Sequence, residues 1–408
     1  MDQQDMKIKR SRRKAVPAQY RRKWPVKKMI IGAAAVLCLC IVIFSILHFG
    51  PDTSSPVVPQ HGEKQVIHLV AGGDVNITDA SVAAGQSAGG YDYTEVFKDV
   101  LPVLSSGDVT VLNFEGVFSG SEYGTNTKAA PGELLTALKN AGVDVLQTAN
   151  SYSIYDGLRG LKSTIQRVQN AGMTPLGTYA TNSEFSKSGG YIIWEIKGVK
   201  IALMAFTKGM DGMGLPSGSE NCVNLLYTDY NSTYQKVDKN GIAKVVRNAA
   251  AHKPDVMIAL VHWGSEFNDQ ISKSQKTICN LLQEEGVDAI IGTHPHYVQK
   301  MELNEETGQF IAWSLGDFYG EGTEAGTNYS VLLDLEITKD SATGVTKITG
   351  FDYVPLFLDN DGEGNLRVLR IQEALIGYEN RYLNCVSEAT YNAMKSALSR
   401  IESRVNGK

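Results

Sequence analysis

Polar side chains able to bind a metal ion recur in this sequence in one setting, directly after a run of apolar residues. Asp74 follows HLVAGG, Asn113 and Glu115 follow VTVL, Asn150 follows VDVLQTA, His262 follows VMIALV, and His294 and His296 follow AIIGT. Two carboxylates, amide oxygens and three imidazoles make a mixed oxygen and nitrogen set suited to Mn²⁺, Zn²⁺, Fe or Mg²⁺. Such a set can bridge two ions about 3.5–4 Å apart and activate water for hydrolysis. Taken singly, each residue has a plainer reading: Asp74 after two glycines suits a turn or a helix cap, and one strand-end histidine is commonly structural. His294-Pro295-His296 says more, because proline fixes one backbone angle and an i, i+2 spacing points both imidazoles to one face of an extended segment. The conjunction carries the inference.

These residues become one site only if the elements before them share an edge. Apolar runs alternate with helical patterns from VIHLVAGGD through a helix over YTEVFKDVLPVL, DVTVLNFEG, a helix over PGELLTALKNAG, VDVLQTAN and a helix near Gly157–Ala171. That alternation predicts βαβ units and a largely parallel buried sheet, in which the carboxyl ends of the strands gather at one edge where ligands bind. YIIWEIKGVKIALMAF predicts a hairpin turning at Lys197-Gly198, and the polar stretch Lys208–Asn240 an insertion over the sheet edge or the active face. DVMIALVHWG, a helix over Ser272–Gly286, DAIIGTHPH and FIAWSLGDF continue the pattern. Beyond residue 328 the runs NYSVLLDLEI, VTKITGFDYVPLFL and NLRVLRI have antiparallel character and precede a helix near Ser387–Arg404. The expected body spans 64–330, with 331–408 completing it or appended to it.

The chain of 408 residues, 43% hydrophobic and 20% charged, can bury a full core, which excludes disorder as its main state. Its charge is divided. Residues 1–28 hold eleven basic and two acidic residues, net +9, leaving 28 basic against 42 acidic residues, net −14, for the rest. An acidic body argues against nucleic acid as a partner. Met29–Phe49 contains no Asp, Glu, Lys or Arg, and at 1.5 Å per residue its helix would span about 30 Å, the hydrocarbon thickness of a bilayer. With the basic cluster before it, the positive-inside rule predicts a single-pass cell-membrane protein with a cytoplasmic N-terminus, a linker over 50–63 and an extracytoplasmic domain. Cys38 and Cys40 fall in the apolar run, Cys222, Cys279 and Cys385 lie far apart beyond it, and no C-x-x-C pair occurs.

In order and context, Gly72–Val75 (GGDV), Asn113–Gly116 (NFEG), His262–Glu266 (HWGSE), Gly292–Gln299 (GTHPHYVQ) and Ser314–Phe318 (SLGDF) resemble the CapA-type poly-gamma-glutamate synthesis family. The resemblance covers roughly residues 66–320. It implies a metallophosphoesterase-like layered α/β sandwich with a mixed β core, following one transmembrane helix. It further implies Asp74 as a first metal ligand, Glu115 as a bridging carboxylate, His262, His294 and His296 as imidazole ligands, and Glu266 and Gln299 lining the site. Asn76 stands where related phosphoesterases place a further histidine ligand.

One block departs from the family. Where A-N-N-H-x-x-D is usual, this chain reads Ala149-Asn150-Ser151-Tyr152-Ser153-Ile154-Tyr155. Asn150 remains as a candidate ligand. Tyr152, replacing an imidazole, would have to supply the acid alongside Asp74, Glu115 and Glu266, and a phenol of ordinary pKa near 10 does so poorly. Asp317 replaces the usual Asn and adds negative charge beside Asn113 and Gln299 where substrate would lie. One metal ion, two or none is consistent with these changes. The reading that follows is an anchored extracytoplasmic component of poly-gamma-glutamate or similar anionic-polymer synthesis and export, associated with membrane synthase and export subunits. The alternatives are a metal-dependent surface hydrolase of phosphoester or amide bonds, and an inactive scaffold. The chain has no G-x-x-x-x-G-K-[ST] loop, so ATP-driven ligation would reside in another subunit.

Overall fold

The computed structural model describes residues 64–407 apart from 363 and 383–385. The basic segment 1–28, the expected membrane span 29–49, the expected linker 50–63 and Cys385 lie outside the described residues. Among the described residues no helix is long and apolar enough to cross a membrane.

In chain order the strands are β1 (Lys64–Asn76), β2 (Gln86–Ser87), β3 (Gly90–Tyr91), β4 (Val109–Glu115), β5 (Val145–Gln147), β6 (Thr174–Leu176), β7 (Tyr191–Ile196) and β8 (Val199–Thr207). There follow β9 (Val256–His262), β10 (Ala289–Thr293), β11 (Met301–Asn304), β12 (Gln309–Ala312), β13 (Asp317–Tyr319), β14 (Tyr329–Asp340), β15 (Thr346–Asn360) and β16 (Leu366–Arg370). One sheet has the order β16-β15-β14-β1-β4-β5-β6, with β13 also beside β1. Its β1, β4, β5 and β6 run parallel, while β14 to β16 are antiparallel to their neighbours. The second sheet, β11-β12-β10-β9-β8-β7, is parallel from β12 to β8 with antiparallel edges.

Apart from β2 and β3, which pair only with each other, the strands divide between two mixed sheets, a correction to the largely parallel sheet expected from the alternation. The reason is visible in the side chains. Leu69, Ala71, Val109 and Val111 of the first sheet share one core with Ile201, Leu203, Ile258 and Leu260 of the second, so the sheets pack face to face. The intervening Val70 and Leu112 turn outward onto Leu134 and Leu138 of the helix Gly132–Asn140. Ala202, Met204 and Val261 turn outward onto the helices Lys239–Ala250 and Lys273–Glu284. Period-2 alternation thus feeds two different cores, which is why these strands look continuously apolar in sequence. Each fully buried Leu or Val adds about 1.5–3 kcal/mol of transfer free energy. The result is a layered α/β sandwich with a mixed β core.

Local chemistry sets the remaining elements. The β7–β8 hairpin turns on Lys197 (φ 49°) and Gly198 (φ 75°), the left-handed pair of a two-residue turn. Ser272 and Gln275 form a capping box at the start of Lys273–Glu284. The single helix expected over Tyr93–Leu104 is instead two short helices, Thr94–Phe97 and Leu101–Leu104. Pro102 explains the break, because a continuous helix would press its ring against the preceding turn, whereas the first turn of a new helix accepts it. The C-terminal helix Glu388–Val405, capped by Ser387, places Met394, Ala397 and Ile401 in the core between the sheets.

Candidate metal centre

Both sheets deliver strand ends to one place. Asp74 near the end of β1 stands in register with Asn113 of β4 on one side and Asp317 of β13 on the other, and Asn76 pairs with Glu115. In the second sheet His262, the last residue of β9, lies between Thr207 of β8 and Thr293 of β10. Gly73 makes the close approach of β1 and β13 possible: a Cβ there would fall 1.7 Å from the Gly316 carbonyl oxygen, which instead accepts from Asp74 N at 3.1 Å.

His294 and His296 do not sit on an extended segment as the i, i+2 spacing suggested. Their φ angles are 90° and 59°, so the chain turns back at each of them, and their ring centres end 5.9 Å apart. Left-handed backbone at two bulky residues flanking a proline is strain held by the surroundings, a pattern that marks binding sites.

The five strongest candidates come together. Asp74, Glu115 and His296 offer ligand atoms within 4.8 Å of one another, as do Glu115, His262 and His294, and as do Glu266, His294 and His296. Asp74 accepts from Asn113 Nδ2 at 2.6 Å and from His294 N at 3.0 Å. His296 Nδ1 donates to Asp317 Oδ1 at 2.7 Å, and Asn76 Nδ2 donates to the same oxygen at 2.8 Å. Asn76 and Asp317 thus hold each other and His296.

Electrostatics show what these groups lack. Burial, reinforced by the neighbouring Glu115, raises Asp74 to about 7, and burial raises Glu115 to about 7 against the opposing attraction of His296. Burial also raises Asp317, again against His296. His262 is lowered to about 3 by burial, and His294 falls well below the usual imidazole range through burial and the nearby His262. For His296 burial acts downward, but Asp317, Glu115 and Asp74 outweigh it and hold the imidazole well above its ordinary value.

The residues fit a divalent cation on two observations. His294 has both ring nitrogens buried with no hydrogen-bond partner, and so does Asn113 Oδ1; buried imidazole nitrogens without partners are costly unless something else satisfies them. The second concerns the proton on His262. Thr207 Oγ1 gives its hydrogen to Gly209 O at 2.9 Å, so it accepts from His262 Nδ1 at 3.1 Å and leaves the Nε2 lone pair directed at Glu115 Oε1. Two lone pairs in contact call for a cation or a proton between them, and a polar partner fixing the far imidazole nitrogen is the usual support of a histidine ligand.

Other candidates are placed differently. Asn150 is buried, but its Nδ2 donates to Phe114 O and its Oδ1 accepts from Tyr152 N at 3.0 Å, so its amide braces the backbone. Gln299 does not line the cleft as expected: its Oε1 accepts from Gln275 Nε2 at 3.1 Å and its Nε2 donates to Asn268 O at 2.9 Å, tying down the loop after His262. Tyr152 lines the cleft beside His296, and burial with the charges of Glu115 and Glu266 raises its phenol far above the usual value. It cannot readily give up a proton near neutral pH. Glu266 is exposed and stands at the mouth. Thr207, Lys208, Lys128 and Phe267 escaped the sequence reading. Thr207 and Lys208 carried the same signal as the others, a polar residue closing an apolar strand, whereas Lys128 sits in a loop with no such mark. Part of the Lys208–Asn240 stretch lies over the candidate site, since Lys208, Asp211 and Tyr234 line a cleft with His294.

The sequence model of a family described as bacterial capsule synthesis protein PGA_cap matches residues 68–321. The capsule biosynthesis protein CapA of Bacillus anthracis is 25% identical over 330 residues, 79% of this chain and 75% of that protein. The PGA biosynthesis protein CapA of Bacillus subtilis (strain 168) is 25% identical over 265 residues, 63% of this chain and 64% of its own length, just under two thirds. Among solved structures, the calcineurin-like phosphoesterase YfkN of Bacillus subtilis aligns with a TM-score of 0.45 at 15% identity, over 84% of this chain and 98% of that one. A phosphatase of Mycoplasma pneumoniae aligns with a TM-score of 0.46 at 15% identity, over 74% and 96%.

Proposed function

The chain belongs to the bacterial capsule synthesis protein family PGA_cap, and from that premise we propose that it serves the synthesis and export of poly-gamma-glutamate or a similar anionic polymer. In this reading the segment 29–49 anchors it in the cell membrane, and the α/β domain works outside the cytoplasm beside membrane synthase and export subunits. The observation that carries the proposal is the meeting of Asp74, Glu115, His262, His294 and His296 at the ends of strands from two sheets, in a chain of this family.

Asp74, Glu115, His262, His294 and His296 would hold one or two divalent ions, and such an ion supplies Lewis acidity and a positive charge able to bind the carboxylates of the polymer. The protein's own residues do the rest. Thr207 fixes the tautomer of His262, Asp317 and Asn76 orient His296, and the Gln299–Asn268 bond holds the loop that carries Glu266. The net charge of the body cannot attract a polyanion, so contact depends on this local centre.

Tyr152 bears on the hydrolase reading. Its raised phenol leaves the site without a good proton donor at the position where the family carries an imidazole, which favours contact with the polymer over its cleavage. The test is complementation of the host lacking this chain. Wild type restores surface polymer, whereas His294→Ala/His296→Ala, produced at the same level in the membrane, does not; equal restoration by both contradicts the proposal.

A further inference from the structure

Two clefts meet at Glu266. The one on the His296 side, about 170 Å³, is lined by Lys128, Tyr152, Phe267 and Asp317 among others. The one on the His294 side, about 220 Å³, is lined by Ser151, Lys208, Asp211 and Tyr234. The same arrangement occurs in each: Lys128 Nζ lies 4.7 Å from the Tyr152 ring centre, and Lys208 Nζ lies 4.8 Å from the Tyr234 ring centre. An aromatic face holds an ammonium in place while leaving its protons free for an anion.

Both lysines are fixed by their backbones as well. Lys128 has φ 51°, its carbonyl accepts from Val117 N at 2.7 Å and its N–H donates to Gly124 O at 2.8 Å. Lys208 N donates to the carbonyl of His262 at 2.8 Å, and its Nζ donates to Gly264 O at 2.8 Å. Apart from histidine, these two are the cationic side chains lining the clefts; the other charged residues there, Glu266, Glu321, Glu324, Asp211 and Asp317, are acids. Among the described residues neither lysine is in an ion pair. In clefts otherwise hostile to anions, two immobilised ammonium groups, one in the cleft with His296 and one in the cleft with His294, mark two places where negative charge is accepted.

We infer that Lys128 and Lys208 bind two anionic groups of one elongated ligand that runs through both clefts, crossing the metal centre beside Glu266. This rests on the proposed polymer function and adds to it: the ligand is a linear polyanion engaged along its length, not at an end. A compact single anion would use one lysine, and the acids between and around them repel anionic groups placed out of register.

The test uses the full chain in detergent, loaded with Mn²⁺, and a fluorescently labelled octamer of γ-linked glutamate as the probe. Lys128→Met and Lys208→Met should each weaken binding about tenfold or more, the usual worth of a hydrogen bond to a charged group, and the double variant about as the product. Lys→Arg at either position should keep affinity within about twofold, and Mn²⁺ content should be unchanged in every variant. Loss in only one single variant, or in neither, while wild type binds the octamer, overturns the inference and leaves the polymer reading intact. Wild type that ignores the octamer but binds polyphosphate in a manner dependent on both lysines keeps the inference and overturns the γ-glutamate reading. Binding of neither probe overturns both.

Discussion

His262 and Glu115, 147 residues apart in the chain and borne on different sheets, meet Nε2 to Oε1 with both side chains buried. Since Thr207 accepts a hydrogen bond from the other imidazole nitrogen, which therefore carries the proton, the contact sets lone pair against lone pair. Thr207→Val keeps the shape and removes the acceptor, which releases the tautomer. Its metal affinity should fall about tenfold or more, the usual cost of losing such a support, with little change in the fold. Competition against a chelator of known affinity measures this, and an unchanged affinity would show that the hydroxyl does not orient the ligand.

Glu115→Gln separates charge from shape at the same contact. Without metal, it removes a carboxylate that burial has raised to about 7, so above that pH the metal-free variant should melt on the order of 2 °C or more above metal-free wild type. With metal, the order should reverse, because wild type gains stability from the ion and the variant gains little. Thermal unfolding with and without Mn²⁺ reads both effects.

The pH dependence has a definite sign. Asp74 and Glu115, raised to about 7 from 3.8 and 4.5, and His296, raised above 6.5, bind protons more tightly folded than unfolded. Their contribution is present at low pH and lost as pH rises through the folded values. His262 and His294, lowered by burial, act the other way and lose stability as pH falls below 6.5, which flattens the acid side. Metal-free protein should therefore lose stability as pH rises from about 6.5 to 8. Metal affinity should climb over the same interval because binding releases those protons. A melting temperature that rises over this interval in chelator would contradict the assignment.

Much of this centre was legible in the sequence because its physical cause is local. An apolar run ending in Asp74, Glu115, His262 or His294 declares a buried strand and what stands at its end, and the antiparallel character of the runs after residue 328 is plain in their alternation. What local pattern cannot carry is which strands share a sheet. The same continuous apolar runs suit one doubly covered sheet or two sheets covering each other, and only the packing of Leu69 and Val111 against Leu203 and Ile258 decides. The left-handed turns at His294 and His296 were hidden for a related reason: bulky residues do not favour positive φ, and the surrounding contacts impose it. Gln299 and Asn150 misled because side-chain amides serve backbone braces as readily as ligands.

Gly73→Ala tests the junction of β1 and β13. A methyl group 1.7 Å from the Gly316 oxygen cannot be accommodated without moving one of the strands that carry Asp74 and Asp317. The expected loss is about 3 kcal/mol or more of stability, read by denaturant unfolding. A variant as stable as wild type would mean that the two strands separate easily.

Tyr152→His restores an imidazole where the phenol stands. If a missing proton donor is what limits chemistry here, hydrolysis of bis(4-nitrophenyl) phosphate by the Mn²⁺-loaded variant should exceed wild type about tenfold or more, while Tyr152→Phe should match wild type. A Tyr152→Phe variant that loses activity would instead give the tyrosine a direct part in turnover.

The most direct test is the amount of metal the protein keeps. Full-length chain purified in detergent, stripped with chelator, re-equilibrated with Mn²⁺ or Zn²⁺ and desalted, should retain at least one ion per chain by elemental analysis. His294→Ala/His296→Ala should retain none above background. Equal retention by the two proteins, or none in wild type, would contradict a metal centre at these strand ends.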